Sequence, residues 1–262
     1  MKENKPKYVL WEKRGNVAIL TLNRPEVLNA ISPDLRVELT NLLRQAEADE
    51  GVDVVIITGK GRAFSAGGDI KVMAELENAD RLAKLGMAVR YVTETGQPFT
   101  RQMMTMSKPI IAMVNGLAHG GGFDIVLLCD IVIASEKANF RVPEGLIGMA
   151  DTHCAELIAE RCGSARAKYI ALTCDTIDAK EAERIGLISK VVPEDKLEEV
   201  VMETARKVTS VGPVARRLLK AAINRRLPER DIGPVMESHA AEDKDEGVRA
   251  FAEKRPPKWV RS

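Results

Sequence analysis

Hydrophobic positions along the chain follow two periods in turn. Tyr8-Val9-Leu10-Trp11 and Val17-Ala18-Ile19-Leu20-Thr21-Leu22 are rich in strand formers and flank Gly15-Asn16, which predicts a hairpin. Ser32-Pro33-Asp34 is a helix start, since Ser can cap and Pro suits the first turn, and Leu35, Leu39, Leu42 and Leu43 then recur at helical spacing. Val54-Val55-Ile56-Ile57-Thr58 is a continuous apolar run, the mark of a strand buried on both faces. Glycine-rich chain follows from Gly59 to Gly68, then a helical stretch from about Asp69. The pattern repeats: a helical region over about 80–105, the strand Pro109 to Val114, the cluster Gly120-Gly121-Gly122, a short apolar helix over Asp124–Leu128 and the strand Asp130 to Ala134. Such alternation indicates an α/β fold with mainly parallel pairing. Beyond about residue 153 the chain reads as amphipathic helix, apart from a short strand near Leu187–Val192. We therefore expect an α/β core over 1–195 and a helical C-terminal region over 196–262, serving as a lid or an oligomer arm.

Composition narrows the class. Thirty-nine Lys and Arg against 38 Asp and Glu leave a net charge of +1, which removes the broad electrostatic case for nucleic acid or an anionic membrane. With 45% hydrophobic residues the 262-residue chain can bury a full core. No apolar stretch reaches the ~18 residues of a membrane span, and the charged start lacks the apolar core of a signal peptide. The four cysteines have neither CxxC pairing nor histidine partners at zinc-finger spacing, so no metal site is expected. Free, mostly buried thiols fit a reducing, cytoplasmic setting.

Two strand-to-helix turns bear glycines: Ala63-Phe64-Ser65-Ala66-Gly67-Gly68-Asp69-Ile70 and Asn115 to Asp124. Each places backbone N–H groups at a helix opening, where the helix dipole favours negative charge. Two such groups aimed at one point make an oxyanion hole. The plainer reading is that small residues permit tight turns. Neither turn has the GxxxxGK[ST] pattern of a P-loop.

The chain resembles the enoyl-CoA hydratase/isomerase (crotonase) superfamily over nearly its whole length. The resemblance rests on Leu22-Asn23-Arg24-Pro25 with Leu28-Asn29-Ala30, on Ala63 to Lys71, and on Asn115-Gly116 with Gly120 to Asp124. It extends through Cys129-Asp130, Pro143-Glu144, Gly186-Leu187-Ile188 and the tail Glu246-Gly247, Ala250-Phe251 and Glu253-Lys254-Arg255. It implies a spiral of ββα units followed by a helical trimerisation region, a homotrimer or dimer of trimers, and a coenzyme A thioester as substrate without a further cofactor. By the same resemblance the backbone N–H groups of Ala66 and Gly121 stabilise a thioester enolate. Arg24, Ala30, Ala63, Gly68, Asp69, Ile70, Lys71, Gly120, Phe251 and Lys254 then bind substrate, with Arg24, Lys71 and Lys254 toward the CoA phosphates and Phe251 toward the nucleotide.

Family hydratases hold a water between two glutamates, and the matching positions here are Asp124 and Glu144. Asp124 departs from that pattern, because an aspartate is one methylene shorter and its oxygens retract by roughly 1.5 Å. Asp151 falls where family isomerases often carry a proton-shuttling aspartate, and it also has the spacing of a helix cap. Acids at both water-holding positions, Asp124 and Glu144, favour a hydratase in which Asp151 is a helix cap. The trio Asp124, Glu144 and Asp151 is similar to that of the dienoyl-CoA isomerases, and an enoyl- or dienoyl-CoA isomerase with Glu144 and Asp151 as proton shuttles is the second reading. A non-catalytic CoA- or RNA-binding protein is the third reading.

Overall fold

The computed structural model describes residues 8–69 and 81–260. Ile70, Lys71 and the helix expected from about Asp69 lie outside the described residues, apart from Asp69 itself. Among the described residues, six strands form the main sheet. These are β1 (Val9–Arg14), β2 (Val17–Leu22), β3 (Val54–Gly59), β5 (Ile110–Val114), β7 (Ile131–Ser135) and β10 (Lys190–Val192), in that order. β1 and β2 pair antiparallel around Gly15-Asn16, and each later neighbour is parallel. A smaller sheet takes β4 (Ala63–Ser65), β6 (Leu117–His119), β8 (Asn139–Arg141) and β9 (Ile177–Asp178). Chain therefore leaves each of β3, β5 and β7 for a short strand in the second sheet, and the glycine-bearing turns lie along that second sheet.

The continuous apolar runs are explained by cover on both faces. Val55, Ile57, Ala112 and Val132 join the larger core with Leu35, Leu39 and Leu43 of α1 (Pro33–Ala48). Val54, Ile56, Ile111 and Ile133 face the other way, against Leu197, Val201 and Ala205 of α8 (Leu197–Thr209). Ser32 caps α1 as expected, its Oγ accepting from the Leu35 N–H at 3.2 Å. The helical region near 80–105 is broken into α2 (Arg81–Arg90), a π-helical turn (Tyr91–Gly96) and α3 (Gln97–Thr105).

Helix α4 (Gly121–Leu128) starts three residues before the expected Asp124, because its first turn holds glycines that apolar periodicity does not register. After α5 (Thr152–Cys162), α6 (Ser164–Thr173) and α7 (Ala179–Arg184), the tail contains α8, α9 (Pro213–Asn224), α10 (Ile232–Ala240) and α11 (Glu242–Ala252). α11 lies against the 3-10 turn Glu144–Ile147 so closely that a Cβ on Gly247 would sit 2.3 Å from the Ile147 carbonyl carbon. The tail thus clamps the turn that carries Glu144. Among the described residues no helix is long and apolar enough to cross a membrane.

Candidate active site

The first glycine turn is held by backbone bonds that leave one amide over. Ala66 N–H donates to Leu28 O (2.9 Å), Ile31 N–H to Gly67 O (2.7 Å) and Asp69 N–H to Ile31 O (3.3 Å), while Gly67 N–H reaches Ser65 Oγ (3.2 Å). Asn29 braces the same turn, donating from Nδ2 to Ala63 O (2.9 Å) and accepting on its carbonyl from Ser65 Oγ (2.8 Å). Ala66, expected as an oxyanion donor, is therefore committed to Leu28, and that expectation is corrected. The Gly68 N–H makes no hydrogen bond among the described residues.

In the second turn, Gly120 N–H donates to Arg141 O (2.9 Å), and Gly121 opens α4 with its N–H outside the intrahelical ladder. The Gly68 nitrogen lies 3.9 Å from where a Cβ on Gly121 would stand. Gly68 and Gly121 share the wall of a cavity of about 350 Å³ with Glu144, Asp151, Arg36 and Arg230. Gly120 adopts φ +48°, and a Cβ there would fall 2.0 Å from Glu144 Oε1, so glycine is required both by conformation and by the carboxylate packed on it.

The three acids meet, with different partners. Asp124 is buried and does not line the cavity, and its carboxylate accepts from Arg230 and, at 3.3 Å, faces His153 Nδ1. Burial alone would raise its pKa, but Arg230 and His153 outweigh that and hold it at about 2. Asp124, Asp151 and Cys154 bring their polar atoms within 4.8 Å of one another, and the Arg230 guanidinium supplies positive charge to this cluster. Asp151 caps α5, accepting from Cys154 N–H (3.1 Å), and also lines the cavity, so cap and cavity roles coexist in one side chain. Burial and the charge of Asp124 raise its pKa. Glu144 opens partly to the cavity, while its Oε2 is enclosed without a hydrogen-bond partner. Burial, then the neighbouring Asp151, push Glu144 up to about 8, leaving it largely neutral near pH 7.

The remaining expected residues scatter. Arg24 is tied to Asp69 (2.9 Å) and donates to Ala30 O (2.7 Å), so it locks the first turn to the segment before α1. Ala30 and Ala63 are buried in the core around that turn, and Asp69 reaches the cavity wall. Phe251 and Lys254 are exposed at the end of α11, outside the cavity lining. Residue reasoning did not single out Arg230, which comes from the loop between α9 and α10, 106 positions from Asp124. Arg36 was also missed, although the spacing of α1 puts it on the buried stripe with Leu39, Thr40 and Leu43.

Comparison with known proteins accords with this geometry. The sequence profile of the enoyl-CoA hydratase/isomerase family matches residues 12–262. A short-chain-enoyl-CoA hydratase of Clostridium acetobutylicum is 38% identical, with 94% of this chain and 95% of that protein aligned. A carnitinyl-CoA hydratase structure from Mycobacterium avium superposes with a TM-score of 0.81 at 31% identity, covering 97% of this chain and 98% of the other. A monofunctional enoyl-CoA isomerase from M. smegmatis gives 0.70 at 34% identity, covering 89% and 98%. With one family profile spanning the two glycine turns, the three acids and the tail helices, the chain belongs to the enoyl-CoA hydratase/isomerase family and is an enzyme of that family.

Proposed function

We propose that this enzyme adds water across the conjugated double bond of an enoyl-CoA, with Gly68 and Gly121 N–H groups on the thioester oxygen. The observation that carries this reading is the pairing of two uncommitted amides with a protonated Glu144 on one cavity wall. As water attacks Cβ, electrons move to the thioester oxygen, where each preorganised donor contributes ~3 kcal/mol to the transition state. Glu144 delivers its proton to Cα, and Asp151 accepts the proton released by the water. Transfer from Asp151 back to Glu144 resets the pair. Asp124 takes no proton in this scheme, because Arg230 and His153 occupy its oxygens. It acts as a positioning residue whose negative charge helps keep Glu144 protonated.

A second reading uses the same pair without water. Glu144 and Asp151 flank one cavity, so one carboxylate could remove a proton and the other return it elsewhere, moving a double bond. Incubation of enoyl- and dienoyl-CoA thioesters in H₂¹⁸O separates the two. Label in the product supports hydration, whereas product formation without label overturns it in favour of isomerisation.

The remaining features of the proposal are a homotrimer or dimer of trimers, a cytoplasmic setting and no added cofactor. The exposed Val214, Leu218, Leu219 and Ile223 on α9 support assembly, since an apolar helix face calls for cover. The free cysteines, three of them buried, are in keeping with a reducing compartment. A monomer in sedimentation at micromolar concentration would remove the assembly, and loss of turnover in chelator would remove the metal-independent chemistry.

A further inference from the structure

Three arginines line the cavity, Arg36, Arg90 and Arg230, and they are not equivalent: Arg90 is exposed to solvent, the other two are not. Arg230 is matched by Asp124. Arg36 is 8% exposed; among the described residues its guanidinium makes no direct ion pair or hydrogen bond, and it reaches the Asp124 carboxylate, already held by Arg230, only through longer-range charge. Its Nε is enclosed without a partner. What holds it is the Tyr91 ring, 4.5 Å from the guanidinium carbon, presented by the π-helical turn. Nη2 stands 3.9 Å from the position of a Cβ on Gly121, beside the amide that would receive the thioester oxygen. Arginine stays charged at every working pH and offers five donors and no acceptor. Buried cations are ordinarily paired, so an unmatched guanidinium on a cavity wall points to an anion brought by the ligand. Its planar fork suits a carboxylate gripped by two parallel bonds.

We propose that the acyl pocket selects thioesters whose acyl chain carries a second carboxylate, bound by Arg36 at the wall beside Gly121. The inference rests on reading the cavity as the acyl-CoA site. It assigns the substrate class as short dicarboxylic enoyl-CoA, in keeping with a cavity of about 350 Å³ that must hold both the thioester and the distal anion. Tyr91 is a positioning residue for the fork.

The test is calorimetric binding of saturated, unreactive thioesters to the intact enzyme: glutaryl-CoA against butyryl-CoA, and adipyl-CoA against pentanoyl-CoA. Wild type is expected to favour the dicarboxylic member of each pair by about 10- to 100-fold, the range of a charge-assisted hydrogen-bonded contact. Arg36→Leu should bring the ratio close to one, Arg36→Lys should retain part of it, and the Leu variant should melt higher than wild type. A wild-type ratio near one, a ratio that survives Arg36→Leu, or an equal loss on both members would overturn the proposal. The last result would place Arg36 on the thioester oxygen instead. The half-amide of glutaryl-CoA removes the charge from the ligand rather than the protein, and it should bind wild type as weakly as butyryl-CoA even if an Arg36 variant fails to fold. Since saturated thioesters do not react, an Arg36-dependent preference would stand if hydration failed. Absence of binding by every thioester would overturn the acyl-CoA site and this inference with it.

Discussion

Replacing Glu144 by Gln should stabilise the protein at neutral pH while removing its activity. Glu144 titrates near 4.5 when exposed to water and is pushed up to about 8 in the fold, by burial first and then by the charge of Asp151. Between those values the unfolded chain has lost the proton and the native protein keeps it, so stability falls as pH rises from 4.5 through about 8. At about 1.4 kcal/mol per pH unit, the full interval amounts to about 5 kcal/mol of native-state cost at pH 8 and above. Relaxation of the turn and water in the cavity make this a ceiling. Glutamine has nearly the same shape and no proton to lose. Urea midpoints measured from pH 5 to pH 9 should therefore diverge, the variant becoming the more stable protein as pH increases. Its turnover should drop by ~10²–10⁴ from loss of acid–base catalysis. Wild-type and variant stability curves that run parallel across this range would refute the elevated Glu144, and with it the neutral acid of the mechanism.

Gly121→Pro deletes one oxyanion donor at a helix position that suits proline, and kcat should drop by ~10²–10³ in a protein that still folds by circular dichroism. Gly120→Ala sets a methyl group against Glu144 Oε1 on a left-handed backbone, and activity should collapse with a lowered melting temperature. Arg230→Leu leaves Asp124 buried without its counter-charge, and urea denaturation at pH 7 should register a loss of about 3–5 kcal/mol. In wild type the Asp124 contribution is present above pH 4 and is lost as pH falls toward about 2, so the acid arm of the stability curve should be the one that Arg230→Leu moves.

The main sheet was readable because the central parallel strands bury both faces and so appear as unbroken apolar runs, as in Val54–Ile57. The strands of the second sheet are two or three residues long, too short to show a period, and β4 and β6 lie within the glycine-bearing turns. The acids were legible through family resemblance, but their roles depend on partners from distant chain. Arg230 sits in a charged segment, Glu229-Arg230-Asp231, with nothing local to mark it, and only folding brings it to Asp124. The first glycine turn shows a finer limit: the Ala66 N–H is taken up by Leu28 while the Gly68 N–H makes no hydrogen bond among the described residues, a long-range fact. Arg36 was visible in principle as a charge within the apolar stripe of α1.

The tether between Asp124 and Arg230 also constrains when the site can come into being. During synthesis the first 200 residues emerge with Asp124, Glu144 and Asp151 converging and no guanidinium from the tail to offset them. A buried Asp124 without its counter-charge then favours an open arrangement until the loop after α9 arrives. A fragment ending before residue 230 contains every described strand of the main sheet yet lacks the counter-charge of Asp124. Functional assembly thereby waits on chain made 106 positions after Asp124.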